Sequence, residues 1–305
     1  MNPGEYHAFE AAGRQFLYLV PSAAVFELDD ASSAVLEQLP ADGPEIERRL
    51  SSRFSRQQLA ESIGELTWVK AIRTETPIPA ARQQPPVDFP LTTMVLNVTN
   101  QCNLSCTYCY EYGEDKIVDT ENGPQSKFMS ESTARESVDF MFRQAGANRL
   151  VHCTFFGGET LLNFPVLKSA VAYARRRAAE LGKEVDFSLT TNATLLRQDV
   201  IEWLVENRVG VTISIDGPKE MQDQFRVFKS GVGSYDIVAP KIKELLRQHT
   251  SRPIGARVTL TSQTLDIGKI YRHLTEEIGF WEVGFAPVTT SPERQYSISN
   301  QGFDA

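Results

Sequence analysis

Residues 97–112 read N-V-T-N-Q-C-N-L-S-C-T-Y-C-Y-E-Y, with cysteines at Cys102, Cys106 and Cys109. The C-x-x-x-C-x-x-C spacing follows directly on an apolar, strand-like run at 91–98. Three thiolates this close in sequence can grip one corner of a metal cluster but cannot supply a fourth ligand. A 4Fe–4S cluster held by three Cys keeps one iron open, unlike the four-Cys clusters of electron transfer. An open iron is where a substrate or cofactor binds and chemistry begins. Structural zinc wants four ligands, commonly as C-x-x-C pairs, and no His or second Cys pair stands nearby. A disulfide would leave one thiol over, in a chain unlike a small secreted scaffold.

Further motifs follow in order. They are F-F-G-G-E-T at 155–160, L-T-T-N-A at 189–193, S-I-D-G-P at 214–218, R-V-F-K-S-G-V-G-S-Y-D at 226–236 and A-R-V-T-L-T at 256–261. Cys102, Cys106, Tyr108 and Cys109 match the C-x-x-x-C-x-aromatic-C signature of radical S-adenosylmethionine (SAM) enzymes. F-F-G-G-E-T looks like their G-G-E-P motif, with Thr160 in place of Pro. The chain resembles the peptide-maturing branch that usually carries a C-terminal SPASM domain. Within that branch it is most similar to thioether-forming maturases, those of six-Cys peptides and of the quinohemoprotein amine dehydrogenase small subunit. The likeness covers most of residues 1–290.

The 305 residues carry 41% hydrophobic and 23% charged side chains, the balance of a globular protein with a real core. A net charge of −8 argues against a basic nucleic-acid surface. No apolar run approaches the ~18 residues of a membrane span, and the N-terminus lacks a signal-peptide pattern. Four cysteines, three of them clustered, suit a reducing cytoplasm.

Five prolines within 76–90 mark an extended linker. Ahead of it, residues 1–75 show strand-like pieces at 16–20 and 24–28, then three helices. Asp29 or Asp30, Pro44 and Ser55 are placed to start those helices. This resembles the winged-helix domain with which peptide-modifying enzymes recognise their substrates; a structural cap is the plainer reading. Residues 91–305 alternate strands near 91–98, 150–156, 184–190, 210–215, 254–261 and 281–286 with helices near 131–144, 165–181, 197–207, 235–248 and 266–278. Thr133 with Glu136 suggests a capping box, and Pro165 a first helical turn. Six βα-type repeats imply a parallel sheet, and six strands do not close an eight-stranded barrel. The expected fold class is therefore α/β, a partial (β/α)6 barrel of the radical SAM type, preceded by a small winged-helix-like α+β domain. Each motif falls at the C-terminal end of a strand, where parallel α/β folds place their sites.

The resemblance implies a 4Fe–4S cluster on Cys102, Cys106 and Cys109. It further implies that S-adenosylmethionine chelates the open iron and is cleaved by one electron to methionine and a 5′-deoxyadenosyl radical. Tyr108 is then placed near the adenine, or packs beside Tyr110 and Tyr112. Gly157 and Gly158 let backbone approach a ligand, and Glu159 accepts from the SAM ammonium. Thr191, Asn192 and Ser214 point into the same mouth. Arg226 suits a carboxylate, either that of SAM or a surface partner. Arg257 reaches inward from the fifth strand. Asp216 is expected to cap the turn after D-G-P, Cys153 to pack as a small hydrophobe, and Arg175, Arg176 and Arg177 to form a solvated face.

Implied partners are a peptide or small protein substrate and an electron donor such as flavodoxin or ferredoxin, with neither nucleic acid nor membrane. The expected reaction joins a Cys sulfur to a carbon of another residue. The alternatives are epimerisation, carbon–carbon crosslinking, Cys/Ser oxidation, or a non-catalytic Fe–S peptide chaperone. No Cys follows Cys153, where the resemblance implies a Cys-rich SPASM domain; the sequence is expected to be a fragment, the alternative being a chain that works without auxiliary clusters.

Overall fold

The computed structural model describes residues 1–73, 89–109 and 127–299. The prolines at 77–86, and Tyr110 and Tyr112, lie outside the described residues. The chain divides into two compact units, Met1–Pro86 and Val87–Ala305.

In the first unit, β1 (Asn2–Pro3), β2 (Tyr6–Ala11), β3 (Arg14–Leu19) and β4 (Ala24–Leu28) precede α1 (Asp30–Glu37), α2 (Gly43–Leu50), α3 (Arg56–Trp68) and β5 (Ile72–Arg73). Strands β2, β3 and β4 form an antiparallel sheet with β3 central, and β1 pairs with β5. Ala12 and Gly13 both take positive φ, the backbone of a two-residue hairpin whose twist matches its strands. Helix starts follow side-chain capping. Asp29 Oδ1 accepts from Ser32 N at 2.7 Å, Asp42 Oδ1 from Glu45 N at 2.9 Å, and Ser55 forms a reciprocal box with Gln58. Leu17, Val35, Ile46, Leu59 and Ile72 build a separate small core. Strand β2 is an addition to the two strands expected from the sequence. Its side chains are mostly exposed, so it carries little apolar alternation.

The second unit runs β6 (Thr93–Thr99), α4 (Glu131–Gln144), β7 (Leu150–Gly157), a 3-10 turn (Thr160–Asn163), α5 (Phe164–Glu180), β8 (Glu184–Thr191), α6 (Gln198–Glu206) and β9 (Gly210–Ser214). It continues with α7 (Lys219–Phe225), α8 (Tyr235–Gln248), β10 (Ile254–Leu260), α9 (Ile267–Arg272), a π turn (His273–Ile278) and β11 (Glu282–Pro287). The six strands form one parallel sheet in chain order from β6 to β11. Among the described residues β6 and β11 are the edge strands of this sheet, so it stays open, as six strands allow.

Alternation along each strand sorts the side chains. Val151, Cys153, Phe155, Phe187, Leu189, Ile213 and Val258 enter one core with Val138, Met141, Leu167, Leu204 and Ile242 of the helices. Phe156, Thr190, Thr212, Ser214, Arg257 and Thr259 take the opposite parity and face the cavity described below. Helix α4 starts one turn earlier than a Thr133–Glu136 box would place it. Ser130 is its cap, accepting from Thr133 N at 3.1 Å. Pro165 sits in the first turn of α5 as expected.

Candidate functional site

The cysteine run leaves the C-terminal end of β6 and is pinned on two sides. Thr99 Oγ1 accepts from Gln101 N at 3.0 Å, fixing the exit from the strand. Ser105 N donates to Val227 O at 2.8 Å and Thr107 N to Phe225 O at 3.2 Å, tying the loop to the segment after α7. Cys109 N closes a turn onto Cys106 O at 3.1 Å.

The G-G-E stretch supports this loop from behind. Gly157, at φ +138°, lies where a Cβ would come 2.2 Å from Thr99 O; one on Gly158 would come 2.4 Å from Gln101 O. Both contacts are with backbone, so neither position accepts a side chain without moving the loop. Gly158 N donates to Thr99 O at 3.0 Å and Glu159 N to Gln101 O at 2.8 Å. Both glycines thus pack closely on the cysteine loop while also lining the cavity described below.

Glu159 lies just behind the cavity-lining residues. Its carboxylate is buried and does not line the cavity. It accepts from Leu161 N (3.0 Å), Thr191 Oγ1 (2.7 Å) and Asn192 N (2.7 Å). Burial pushes its carboxyl up from the usual range, against those three donors. Asn192, so held, presents its amide to the loop. Nδ2 donates to Asn103 Oδ1 at 3.0 Å and lies 3.7 Å from Cys102 Sγ.

Asp216 departs from the turn-capping role. Helix α7 has no side-chain cap. The Asp216 carboxylate instead accepts from Thr259 N at 3.0 Å and from the Tyr108 hydroxyl, and stands 3.0 Å from Arg226 Nε. The guanidinium lies 5.4 Å from the Tyr108 ring centroid. Arg226 is therefore neither a surface salt bridge nor free: it is 7% exposed and paired with a fully buried carboxylate. The contact is an ion pair: Nε lies at ion-pair distance from the oxygen without the alignment of a good hydrogen bond. Burial drives the Tyr108 phenol well above its ordinary value.

All three cysteines open onto one cavity of about 640 Å³. Tyr108, Gly157, Gly158, Thr191, Asn192, Ser214, Arg226 and Arg257 line it with them. Of the expected site residues only Glu159 stands behind the wall. Sequence reasoning passed over Asn103, Thr194 and Gln222. Gln222 is buried, with Oε1 accepting from Asp216 N at 2.8 Å.

Whether a cluster suits these cysteines turns on their chemistry. All are free thiols. Burial raises Cys102, and pushes Cys106 up to about 12. Such thiols give up protons to a bound cation rather than to water. No three His, Cys, Asp or Glu groups among the described residues are placed around a single metal ion. A cluster asks for less convergence, because each thiolate meets a different iron. Cys153, buried in the strand core and also pushed up to about 12, is inert.

The pattern of the radical SAM superfamily matches residues 96–272, and the chain belongs to that superfamily. A serine-type anaerobic sulfatase-maturating enzyme of Bacteroides thetaiotaomicron is 34% identical over 165 residues, 54% of this chain and 38% of that enzyme. An uncharacterized protein of Methanocaldococcus jannaschii is 33% identical over 172 residues, 56% of this chain and 54% of that protein. The chain thus spans about half the length, or less, of these relatives. The solved structure of native anSMEcpe with bound AdoMet and Cp18Cys peptide superposes with a TM-score of 0.60 at 23% identity, covering 70% of this chain and 56% of that one. That likeness confirms the fold, the six-stranded parallel sheet of a partial barrel.

Proposed function

We propose that this chain is a radical SAM enzyme that modifies a ribosomally made peptide or protein. The observation that carries the reading is the convergence of three free cysteines and a polar strand-end rim on one cavity. Its volume falls within the ~300–1,000 Å³ of small-molecule sites. Cys102, Cys106 and Cys109 would hold a 4Fe–4S cluster, and the rim would hold S-adenosylmethionine beside it. Bound there, the pair supplies one-electron cleavage that ends in hydrogen-atom abstraction from a substrate.

The chain's own residues do the rest. Gly157, Gly158 and Glu159 fix the cysteine loop through backbone bonds. Ser214 offers a hydroxyl to the polar parts of SAM, while Thr191 and Asn192, whose side chains are held by Glu159, Ala193, Thr194 and Asn103, shape the same wall. Arg226, oriented by Asp216 and Tyr108, keeps a cation at the wall, which suits a carboxylate. Arg257 adds a second cation on the barrel side. The apolar Phe156, Ala286 and Val288 limit water in the cavity.

For the reaction, thioether formation between a Cys sulfur and a substrate carbon is the first reading, carried by the likeness of the motif set to thioether-forming maturases. Oxidation of a Ser or Cys is the second, favoured by the similarity to a sulfatase-maturating enzyme. A thioether and a Ser-derived aldehyde each remove two hydrogens. The aldehyde takes up a hydrazide and leaves any thiol free to alkylate, whereas a thioether does the reverse. Mass spectrometry of a candidate peptide after both reagents tests the assignment.

The unit Met1–Pro86 is assigned substrate recognition. Its outer strand β4 carries exposed Val25 and Phe26, an apolar edge that suits an added peptide strand. A flavodoxin- or ferredoxin-type donor in a reducing compartment would supply electrons. No helix among the described residues is long and apolar enough to cross a membrane.

A further inference from the structure

We infer that the Asn192 side chain is a pre-oriented hydrogen-bond donor to the Cys102 sulfur, and that with a cluster bound it raises the cluster's reduction potential. The inference rests on the reading of Cys102 as a cluster ligand.

The orientation of the amide is set by its neighbours. Asn192 Oδ1 accepts from Thr194 N at 3.0 Å and from Thr194 Oγ1 at 2.6 Å. The reversed amide would place its NH₂ against the Thr194 N–H, donor facing donor. Nδ2 is thereby directed at the cysteine loop. One of its hydrogens goes to Asn103 Oδ1 at 3.0 Å. Asn103 Nδ2 in turn donates to Thr194 Oγ1 at 2.8 Å, and that hydroxyl's hydrogen returns to Asn192 Oδ1. Asn192, Asn103 and Thr194 thus form a ring in which each member gives and receives, and the bonds polarise one another.

The second Nδ2 hydrogen has no place in the ring, and Cys102 Sγ lies 3.7 Å away, within donor-to-sulfur reach. The main chain of Asn192 is anchored independently, by its N–H on buried Glu159 Oε2 at 2.7 Å. Asn192 and Thr194 are themselves buried, so bulk water has little access to the amide. The donor therefore points at the sulfur before any metal arrives.

A neutral thiol accepts weakly. An iron-bound thiolate is charged, and a hydrogen bond to it is stronger. Reduction places further negative charge on the cluster and its sulfurs, so the same N–H favours the reduced state. Asn192 then acts as a positioning residue for the electron, through Cys102.

The test is an anaerobic redox titration of the full chain with its reconstituted cluster, followed by electron paramagnetic resonance in the absence of SAM. Asn192→Ala should lower the reduced-to-oxidised ratio at fixed potential about tenfold, a shift of ~59 mV to the negative for one electron. Thr194→Val keeps Asn192 but removes the hydroxyl that orients it, and should shift the midpoint the same way by less. Unchanged midpoints in both variants at full iron content overturn the inference. If Asn192→Ala does not retain iron, Thr194→Val decides alone: a negative shift supports the inference and an unmoved midpoint overturns it. Failure of the underlying reading looks different, since the unsubstituted chain would then take up no cluster, which removes both.

Discussion

Arg226 Nε stands 3.0 Å from Asp216 Oδ2, and both side chains are shut away from solvent. The pair joins the segment after α7 to the end of β9, and Tyr108 brings the cysteine loop into the same contact. Burial alone would push the Arg226 guanidinium down, yet the Asp216 charge keeps it cationic and raised.

Breaking this pair from one side should be costly. Asp216→Asn leaves a buried cation uncompensated and should destabilise the chain by about 3–5 kcal/mol. Asp216→Leu combined with Arg226→Met should recover part of that loss, but not all, since Tyr108 and Thr259 N lose their acceptor. Urea denaturation of the single and double variants measures the coupling.

Gly158→Ala is expected to act on the cysteine loop rather than on a ligand. Its new Cβ would press on Gln101 O, which is backbone and cannot swing aside. A loss of roughly 1–3 kcal/mol is expected from the overpacking, with reduced iron uptake after reconstitution. Equal stability and iron content would contradict the packing described for this motif.

Glu159→Ala removes the acceptor of three buried donors, and should cost about 1–3 kcal/mol for each group left unsatisfied. Chemical denaturation checks the expected loss. A variant as stable as the parent that no longer binds SAM would return the carboxylate to the cavity.

Asp186 gives a pH prediction. Burial pushes its carboxyl up, but the bonds from Arg252 outweigh this and hold it below the ordinary range. A depressed folded value contributes stability that is present above the unfolded value of about 3.9 and disappears as pH falls through the folded one. With the side chain about one-third exposed, the contribution is about 1 kcal/mol after screening. Arg252→Ala should therefore be less stable than the parent at neutral pH, and the gap should narrow below pH ~3 without closing, since Arg252 also donates to Phe187 O and Arg208 O, as thermal melts across pH would record.

Edge recognition is tested by Val25→Asp with Phe26→Asp. Fluorescence anisotropy with a cognate full-length peptide should show binding weakened by tenfold or more, while the thermal transition of the second unit stays in place. Undiminished binding would return this unit to a structural cap.

The strands and helices of the sheet unit were legible because each carries its own periodicity. The runs at 150–156, 184–190 and 254–261 alternate between core and cavity and appear within a residue of their expected bounds. Helix α7 was hidden behind D-G-P, whose residues signal a turn, and it is too short to show an apolar face. The cysteines and strand-end motifs pointed to one mouth because parallel topology brings strand ends together. The partners of Glu159 and Asp216 were not legible. Tyr108, Asp216, Arg226 and Thr259 meet across separations no local pattern encodes, and a buried carboxylate reads in sequence like an available one. Asn103 and Thr194 were missed for the same reason: 91 residues separate two side chains that share a hydrogen bond.

The central claim is that Cys102, Cys106 and Cys109 hold a cluster. Iron and acid-labile sulfide should be counted after anaerobic reconstitution in the parent chain, in a variant with all three cysteines replaced by Ala, and in Cys153→Ala. The expected result is about four irons and four sulfides in the parent and in Cys153→Ala, and none in the triple variant. Iron retained by the triple variant, or lost from Cys153→Ala alone, would contradict the account.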